Sequence, residues 1–387
     1  MTPGNGSVDV VVVGSSPWPA ELPDDDINLR TARALAERLG GRYDVIVPAG
    51  AARPGRVDRD PVQVHRVEMR SRPGFLLSVR RALRELGGNG GHAPVLVSSD
   101  PLAALAVEVS RSRRGRPHLV HIQGEVLAPG PEYGPRPKRW ALATASRFVV
   151  RRASGVRVVS RSLRDAVAEV ATGPVTFIGS RVDTRRFTPA GPGAPPAADR
   201  VDAIMVGGLS VRKNHRTVVH AWARVVRDLP DARLAIVGEG PVRCRLEPLI
   251  ACLGLKEHVK LYGRLGHGEI LPLLRASRCL VHAAWSEGQP RAVLEGMACG
   301  LPVVCSDIPP HREIVPDDAG RFVPPGDIRA WAEAIGSVLA HPDRAAAMGR
   351  AARAFVVRHH DFEANLDRMA DLLRQLAGAR PSRGAAP

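Results

Sequence analysis

Short apolar runs alternate with helical patterns through the first half of the chain. Residues 9–14 (DVVVVG) form a continuous apolar run, residues 28–39 space their apolar side chains as in a helix, and residues 45–47 form a second run. Further apolar runs occur at residues 95–97, 119–122, 156–159 and 175–178, with helical patterns near residues 75–87, 101–112, 136–152 and 161–170. Runs that are apolar on both faces and alternate with helices predict a parallel sheet covered on both sides.

The alternation resumes after residues 188–199 (TPAGPGAPPAAD), which have no periodicity and predict a linker. Strands are predicted at residues 201–206, 233–237, 259–262, 279–282 and 302–305, with helices at residues 215–228, 242–253, 269–276, 292–298, 328–340 and 344–359. We therefore predict an α/β fold of two doubly wound, Rossmann-like domains, with a ligand cleft between the carboxyl ends of both sheets. The predicted bounds are an N-terminal domain over residues 1–187, the linker, a C-terminal domain over residues 200–360, a C-terminal helix over residues 361–378 and a flexible tail over residues 379–387.

The apolar runs are too short for a membrane span, since none approaches eighteen residues in the 387-residue chain. The N-terminus also lacks the basic stretch of a signal peptide, so we expect a cytoplasmic protein. Its five cysteines are odd in number and form no C-x-x-C pair. That pattern disfavours both a disulfide framework and a zinc ribbon.

The chain is strongly basic, with 55 Lys and Arg against 39 Asp and Glu and a net charge of +16. Such a field attracts phosphate-bearing ligands, anionic lipid or nucleic acid. The arginines are spread along an Ala/Gly/Pro/Arg-rich sequence, however, which is also typical of a coding bias. Aromatic residues make up only 4% of the chain and no nucleic-acid motif is present, so we expect no nucleic-acid partner.

The most informative motif spans residues 286–304 (SEGQPRAVLEGMACGLPVV). Glu287 and Glu295 stand eight positions apart, the first in a loop after a predicted strand and the second inside the following helix. The backbone N–H groups of residues 288–291 lie at that helix N-terminus, where unpaired donors favour a phosphate. The two carboxylates can accept hydrogen bonds from sugar hydroxyls, so the motif is a candidate nucleotide-sugar site.

This stretch closely resembles the E-x7-E signature of retaining glycosyltransferases of family 4, which have the GT-B fold. Residues 206–209 with 213–214, residues 236–241 (IVGEGP) and residues 259–264 (VKLYGR) resemble other segments of the family in the same order. Residues 158–160 and 182–187 also fit. The resemblance covers residues 150–360 well and implies an α/β GT-B fold and a hexosyltransferase that uses a nucleotide-sugar donor.

The resemblance also implies roles for individual residues. Lys213 should offset the charge that develops on the donor diphosphate. Glu295 should hold the ribose hydroxyls, and Glu287 should face the donor sugar. The implied catalytic residues are Lys213, Glu287 and Gln123, and the implied donor-binding residues are Gly207, Gly208, Arg212, Lys213, Gly238, Tyr262, Gly263, Arg264, Glu287, Gly288, Gln289, Pro290, Arg291 and Glu295.

The chain departs from the family pattern at Gly208, at residues 180–181 and at Gln123. Gly208 stands where an arginine is usual, which leaves Arg212 as the nearest substitute for the second diphosphate cation. Residues 180–181 (SR) replace an Asn-Gly pair, and Arg181 could add charge to the cleft. Gln123 stands where the family has a sugar-facing histidine, and glutamine can hydrogen-bond a hydroxyl but cannot carry a proton.

The loop after the first predicted strand, residues 15–26, replaces the expected Gly-rich turn and contains four acids in a basic chain. These acids could form a helix N-cap with a solvated turn, or they could attract a cationic acceptor such as an amino-sugar or aminocyclitol. His121 is a candidate acceptor residue and equally a candidate core residue. The acceptor-binding residues that we predict are Ser16, Trp18, Asp24, Asp25, Asp26, His121, Gln123 and Glu125.

Metal-binding patterns are weak in this sequence. Residues 24–26 and 58–60 match D-x-D, but neither closes an apolar strand as a metal-diphosphate site would require. There is no H-E-x-x-H spacing, so we expect no essential metal and no other cofactor.

Three functions follow as hypotheses. The preferred one is a retaining transferase that moves a hexose-type sugar, from a UDP-sugar, to a small polar acceptor in natural-product biosynthesis of the aminoglycoside type. The second is a membrane-surface transferase acting on a lipid or polysaccharide precursor, supported by basic stretches with apolar faces at residues 74–86 and 136–152. The third is a non-catalytic nucleotide-sugar-binding protein, suggested by Gly208 and Gln123. The donor sugar, the acceptor and the oligomeric state stay open.

Overall fold

A computed structural model describes residues 7–24, 26–86, 93–111, 115–191 and 201–378. It divides the chain into two compact units. Unit 1 comprises Met1–Ile178 and Glu363–Pro387, and unit 2 comprises Gly179–Phe362. Each unit is an α/β domain built around one largely parallel sheet, so the predicted fold class is confirmed.

The sheet of unit 1 has eight strands in the order β3-β4-β2-β1-β5-β6-β7-β8. All neighbours are parallel except β3 and β4, which form an antiparallel hairpin at the edge. The strands are β1 (Val8–Val13), β2 (Gly40–Pro48), β3 (Gly55–Arg59), β4 (Val62–Val67), β5 (Val95–Ser98), β6 (His118–Ile122), β7 (Gly155–Val158) and β8 (Val175–Phe177). The helices in this part of the chain are α1 (Ile27–Leu39), α2 (Arg72–Glu85), α3 (Pro101–Arg111), α4 (Arg136–Arg152) and α5 (Arg161–Ala168).

The sheet of unit 2 has six parallel strands in the order β11-β10-β9-β12-β13-β14. These strands are β9 (Ala203–Val206), β10 (Leu234–Val237), β11 (Val259–Gly263), β12 (Cys279–His282), β13 (Val303–Ser306) and β14 (Gly320–Val323). The helices are α6 (His215–Asp228), α7 (Arg243–Cys252), α8 (His267–Ala276), α9 (Arg291–Ala298), α10 (Pro309–Ile314), α11 (Ile328–Ala340) and α12 (Pro342–His359), and α13 (Phe362–Gly378) ends the described chain. The strand order reverses between β9 and β12, which is where doubly wound sheets bind ligands.

Apolar burial on both sheet faces explains why the continuous runs became strands. In unit 2 one core cluster includes Trp222 and Trp331, both fully buried, and a second cluster includes Leu294 and Met297. The β3–β4 hairpin was not predicted because β4 alternates buried and half-buried side chains, as expected of a strand near a sheet edge. The structure also adds β14 and α10 to the predicted elements.

The division between the units falls at residue 178 rather than at the predicted residue 187. Residues 179–187 belong to unit 2 because Val182 and Phe187 are part of its core, and the Val182 N–H donates to the carbonyl of His360 at 3.0 Å. The C-terminal helix from Glu363 onward belongs to unit 1, where Arg38 donates to Asp367 at 2.7 Å. Residues 192–199 of the predicted linker and the predicted tail lie outside the described residues.

Within the described part of the chain, no helix combines the length and the apolar character that crossing a bilayer requires.

Candidate functional site

The loops that follow β9 and β12 bring a lysine, an arginine and a glutamate together in unit 2. Nζ of Lys213 donates to Oε1 of Glu287, and Nη1 of Arg212 lies 3.2 Å from the second oxygen, Oε2. Arg212 Nη1 also donates to the carbonyl of Ser286 at 3.0 Å. Glu287 is buried, so its charge is offset by two cations at the point where the strand order reverses.

Arg212 and Lys213 both direct their side chains at Glu287. The space beside Gly208 is open, since a Cβ there would meet only the carbonyl oxygen of Glu239 at 3.7 Å. The Arg212 side chain points toward Glu287 instead of away from it. That Arg212 substitutes for the arginine usual at position 208 stays a prediction.

The backbone around Lys213 is fixed by close packing and by one strained residue. A Cβ at Gly238, whose φ is +147°, would lie 2.0 Å from the carbonyl oxygen of Gly207, so only glycine lets these two strand ends approach. Asn214 has φ +55° and donates through Nδ2 to the carbonyl of Pro325 at 2.7 Å. Its Oδ1 accepts from the Thr217 hydroxyl at 2.8 Å, which anchors the loop to the first turn of α6.

Three buried histidines surround Lys213, and the sequence analysis did not identify any of them. His282 ends β12, His311 lies in α10 and His215 begins α6. Burial, with the nearby Lys213 charge, lowers the pKa of His215 to about 4. Burial likewise lowers the pKa of His311 to about 4 and holds the pKa of His282 well below its usual range. All three are therefore neutral at pH 7.

Three predicted donor-binding residues, Tyr262, Gly263 and Arg264, lie at the end of β11, on the edge of the sheet. The Gly238 N–H donates to the carbonyl of Gly263 at 2.8 Å, so this strand end is tied to that of β10. Nζ of Lys260 stands 4.6 Å from the centre of the Tyr262 ring, a cation–π distance. Arg264 is exposed.

The remaining E-x7-E residues follow Glu287 into α9. Glu295 is half-buried on that helix, and Arg291 is exposed at its first residue. Gln289 is buried, but its Oε1 accepts from the Ser180 N–H, so this side chain supports residues 179–180. Gly288 and Pro290 are buried in the loop between Glu287 and the helix. The predicted donor-binding residues thus lie around the carboxyl ends of the strands of unit 2. Among them, Gln289 is directed at the backbone of its own unit.

Nearby Arg181 lies over the ring of Phe362 at 5.5 Å.

A second cluster of polar groups lies at the carboxyl ends of β1, β5 and β6 in unit 1. The Ser15 N–H donates to Asp100 Oδ2 at 2.8 Å, and Asp100 Oδ1 caps α3 through the Ala103 N–H at 2.9 Å. Gln123 is exposed and donates through Nε2 to the carbonyl of Ser99 at 3.2 Å. Asp100 was missed by the sequence analysis, although an Asp-Pro pair at a strand end is a helix-start signal.

The other predicted acceptor residues of unit 1 vary in exposure. Ser16 is exposed, while Trp18 and His121 are half-buried. Partial burial, with the neighbouring charge of Glu132, raises the pKa of Glu125.

The acidic loop before α1 contains a helix cap and an exposed ion pair. Asp26 is the N-cap of α1, since its Oδ1 accepts from the Asn28 N–H at 2.9 Å and from the Leu29 N–H at 3.1 Å. Asp24 forms an exposed ion pair with Arg33 at 2.8 Å. Asp25 lies outside the described residues. The cap interpretation therefore holds for Asp26, and Asp24 keeps an exposed carboxylate.

Among the described residues, no group of three or more His, Cys, Asp or Glu side chains is arranged to hold a metal ion.

Comparison with known proteins matches both halves of the chain to glycosyltransferase models. The family described as "Glycosyl transferases group 1" matches residues 194–355, and the "Glycosyl transferase 4-like domain" matches residues 27–180.

Relatives of this chain include two bacterial glycosyltransferases of named activity. A GDP-mannose-dependent alpha-(1-6)-phosphatidylinositol monomannoside mannosyltransferase of Mycolicibacterium smegmatis is 33% identical over 64% of this chain and 69% of its own. The alpha-D-kanosaminyltransferase of Streptomyces kanamyceticus is 25% identical over 77% of this chain and 80% of its own.

Solved structures share the fold over nearly the whole chain. Sucrose-phosphate synthase from Thermosynechococcus elongatus matches with a TM-score of 0.82 at 21% identity, covering 95% of this chain and 99% of its own. Anabaena HepE in complex with UDP-glucose matches with a TM-score of 0.73 at 18% identity, covering 95% of this chain and 99% of its own.

Proposed function

The chain belongs to the group 1 glycosyltransferases with a glycosyltransferase 4-like N-terminal domain, and we propose that it moves a hexose from a UDP-sugar, with retention, to a small polar acceptor. It is a hexosyltransferase that uses a nucleotide sugar, so the hypothesis of a non-catalytic binding protein is set aside. The observation that carries the proposal is the cluster of Lys213, Arg212 and Glu287 where the strand order of unit 2 reverses.

The two cations suit a diphosphate leaving group. As the bond between the anomeric carbon and the diphosphate oxygen breaks, negative charge accumulates on that oxygen, and Lys213 and Arg212 offset it. The acceptor hydroxyl forms the new bond to the anomeric carbon, and its proton leaves with the released diphosphate. Catalysis then rests on positioning and on leaving-group stabilisation.

The donor base is proposed to be uracil. Anabaena HepE, which has the same fold, was solved with UDP-glucose, whereas the mycobacterial relative is named for its dependence on GDP-mannose. Thermal shift with UDP- and GDP-sugars decides between them, since a ligand that binds only the folded state raises Tm.

Activity is expected to survive excess EDTA, and the product should keep the anomeric configuration of the donor. Resistance to EDTA is expected because Lys213 and Arg212 supply the positive charge that a metal would otherwise bring to the diphosphate. Initial rates with and without chelator test the first part, and proton NMR coupling at the anomeric position tests the second. Inversion, or loss of activity that Mg²⁺ or Mn²⁺ restores, would contradict the proposal.

The acceptor is proposed to be a cationic amino-sugar or aminocyclitol held by unit 1. Asp24 supports this because it keeps an exposed carboxylate in a chain of net charge +16. The name of the Streptomyces relative, an alpha-D-kanosaminyltransferase, gives an amino-sugar as the group transferred, so the argument for a cationic acceptor rests on the acidic loop of this chain.

Replacing Asp24, Asp25 and Asp26 together with asparagine is expected to raise acceptor KM by roughly 3- to 100-fold while donor KM stays unchanged. Each exposed charge contact is worth about 0.2–1 kcal/mol, and asparagine preserves the helix cap. The matched control is Asp58→Asn with Asp60→Asn, the other D-x-D pair of unit 1, which should leave acceptor KM unaltered. High salt should reproduce the triple substitution, since it screens the same charges.

A lipid-linked acceptor is the second candidate, and α4 favours it. Trp140 and Phe148 are eight residues apart on this helix and are 72% and 45% exposed. Five exposed cations accompany them on α4: Arg136, Lys138, Arg147, Arg151 and Arg152. An exposed aromatic and basic helix is suited to an anionic bilayer, and the mycobacterial relative acts on a phosphatidylinositol mannoside.

Vesicle sedimentation separates the two acceptors. If the acceptor is small and cationic, the aspartate variant loses acceptor affinity and the protein stays in the supernatant with phosphatidylglycerol vesicles. Binding to those vesicles that Trp140→Ser with Phe148→Ser abolishes, together with no effect of the aspartate variant, would favour the lipid acceptor.

A further inference from the structure

A line of hydrogen bonds connects Lys213 with the backbone of β13 through two buried histidines. Nζ of Lys213 lies 3.5 Å from Nε2 of His282. Nδ1 of His282 lies 3.0 Å from Nε2 of His311, and Nδ1 of His311 lies 2.7 Å from the carbonyl oxygen of Ser306. The line crosses three neighbouring strand ends, those of β9, β12 and β13.

The carbonyl at the end of this line sets the direction of every bond in it. A carbonyl oxygen only accepts, so His311 must carry its proton on Nδ1, and a neutral His311 then has a lone pair on Nε2. His282 must therefore donate from Nδ1, which leaves the lone pair of its own Nε2 directed at Lys213. The ammonium of Lys213 is the donor that this lone pair can accept.

Burial keeps both rings neutral, as this arrangement requires. His282 is 1% exposed and His311 is fully buried, with their ring centres 5.0 Å apart and nearly perpendicular. The charged groups that face His282 are Lys213, Arg212 and Glu287, whose Oε1 lies 3.8 Å from Nε2. A protonated His282 would point an N–H at the Lys213 ammonium, so the neutral ring is the form that suits this site.

We propose that His282 and His311 are positioning residues whose locked tautomers orient the Lys213 ammonium toward the leaving diphosphate. An ammonium has three N–H donors. One serves Glu287 and one serves His282, so the third is left for a phosphate oxygen. A neutral acceptor fixes the flexible lysine side chain without adding the negative charge that would repel the diphosphate. This role rests on the donor site proposed above.

The tautomer can be measured in the unaltered protein. With 15N-labelled histidine at pH 8, long-range 1H–15N correlation should show His282 protonated on Nδ1 and unprotonated on Nε2, and His311 the same. The signals are assigned by their absence from spectra of His282→Gln and His311→Gln. A protonated Nε2 on His282 would overturn the proposal, whatever the activity of any variant.

Kinetics of paired variants test the effect on catalysis. His282→Leu should lower kcat by about 10- to 100-fold with a smaller change in donor KM, because Lys213 loses its orientation. His282→Gln should stay within about 3-fold of the wild type, since an amide can accept from Lys213 and donate to His311. His258→Leu is the matched control, because His258 is a half-buried histidine of unit 2 whose Nδ1 lies 3.2 Å from the backbone carbonyl oxygen of Ala232.

Equal losses in His282→Leu and His282→Gln would reduce His282 to a packing role and overturn the proposal. Failure of the donor site itself is recognised separately. If Lys213→Ala leaves turnover unchanged while NMR shows the expected tautomers, the proposed donor site is wrong. If Lys213→Ala abolishes turnover and His282→Leu does not slow it, only the positioning role is lost.

Discussion

Lys213→Ala is expected to lower kcat/KM by at least about 100-fold, the typical loss when one preorganised charge on the reacting group is removed. The lysine is 15% exposed in its side chain and is held by Glu287 and His282, so its charge is fixed before the donor binds. The loss should appear mainly in kcat, because the charge on the diphosphate grows as the sugar departs.

Initial rates against donor concentration measure this effect, and Lys256→Ala is the control, since Lys256 is an exposed lysine of the same unit. Lys213→Arg adds a second comparison, because it keeps the charge but changes the geometry of the donors. Turnover close to that of the wild type at saturating donor would remove Lys213 from the mechanism.

Acidification is expected to destabilise unit 2 between about pH 6.5 and pH 4. The pKa values of His215 and His311 are lowered to about 4 in the folded protein, while an unfolded histidine has a pKa near 6.5. A lowered histidine pKa means that the unfolded chain binds the proton first. The part of the free energy of unfolding that depends on neutral histidines is therefore fully present above pH 6.5 and is lost as the pH falls toward 4. Each histidine accounts for about 3 kcal/mol at the acid end.

Urea unfolding followed by tryptophan fluorescence at pH 7.5 and pH 4.5 measures the change, because Trp222 and Trp331 lie fully buried in unit 2. His215→Leu supplies the comparison. Among the described residues neither ring nitrogen of His215 has a hydrogen-bond partner, so leucine removes the titration without breaking a bond. The variant should lose less stability on acidification than the wild type, and an equal loss in both proteins would show that His215 does not contribute.

The elements around the site could be predicted where burial is continuous. β9 and β12 are apolar on both faces, and such runs identify central strands without knowledge of their neighbours. The β3–β4 hairpin was not predicted, because strands near a sheet edge have one exposed face and therefore contain fewer apolar residues. The role of a single residue such as Asp26 is harder to predict from sequence, because helix capping and acceptor binding both use an aspartate side chain. Only the structure shows the hydrogen bonds from the Asn28 and Leu29 N–H groups.

The sequence alone determined that this chain is an α/β protein with Lys213 and Glu287 just after strands, because apolar periodicity and a compound motif are local properties. Which strands are neighbours was decided only by the tertiary structure. β9 lies beside β12, and so Lys213 meets a glutamate 74 residues away. The directions in which the side chains of Arg212 and of the histidines point follow from this packing. No local pattern in the sequence indicates them. Hydrogen bonds form only within narrow limits of distance and angle, and those limits are met or missed by the packing of the strands.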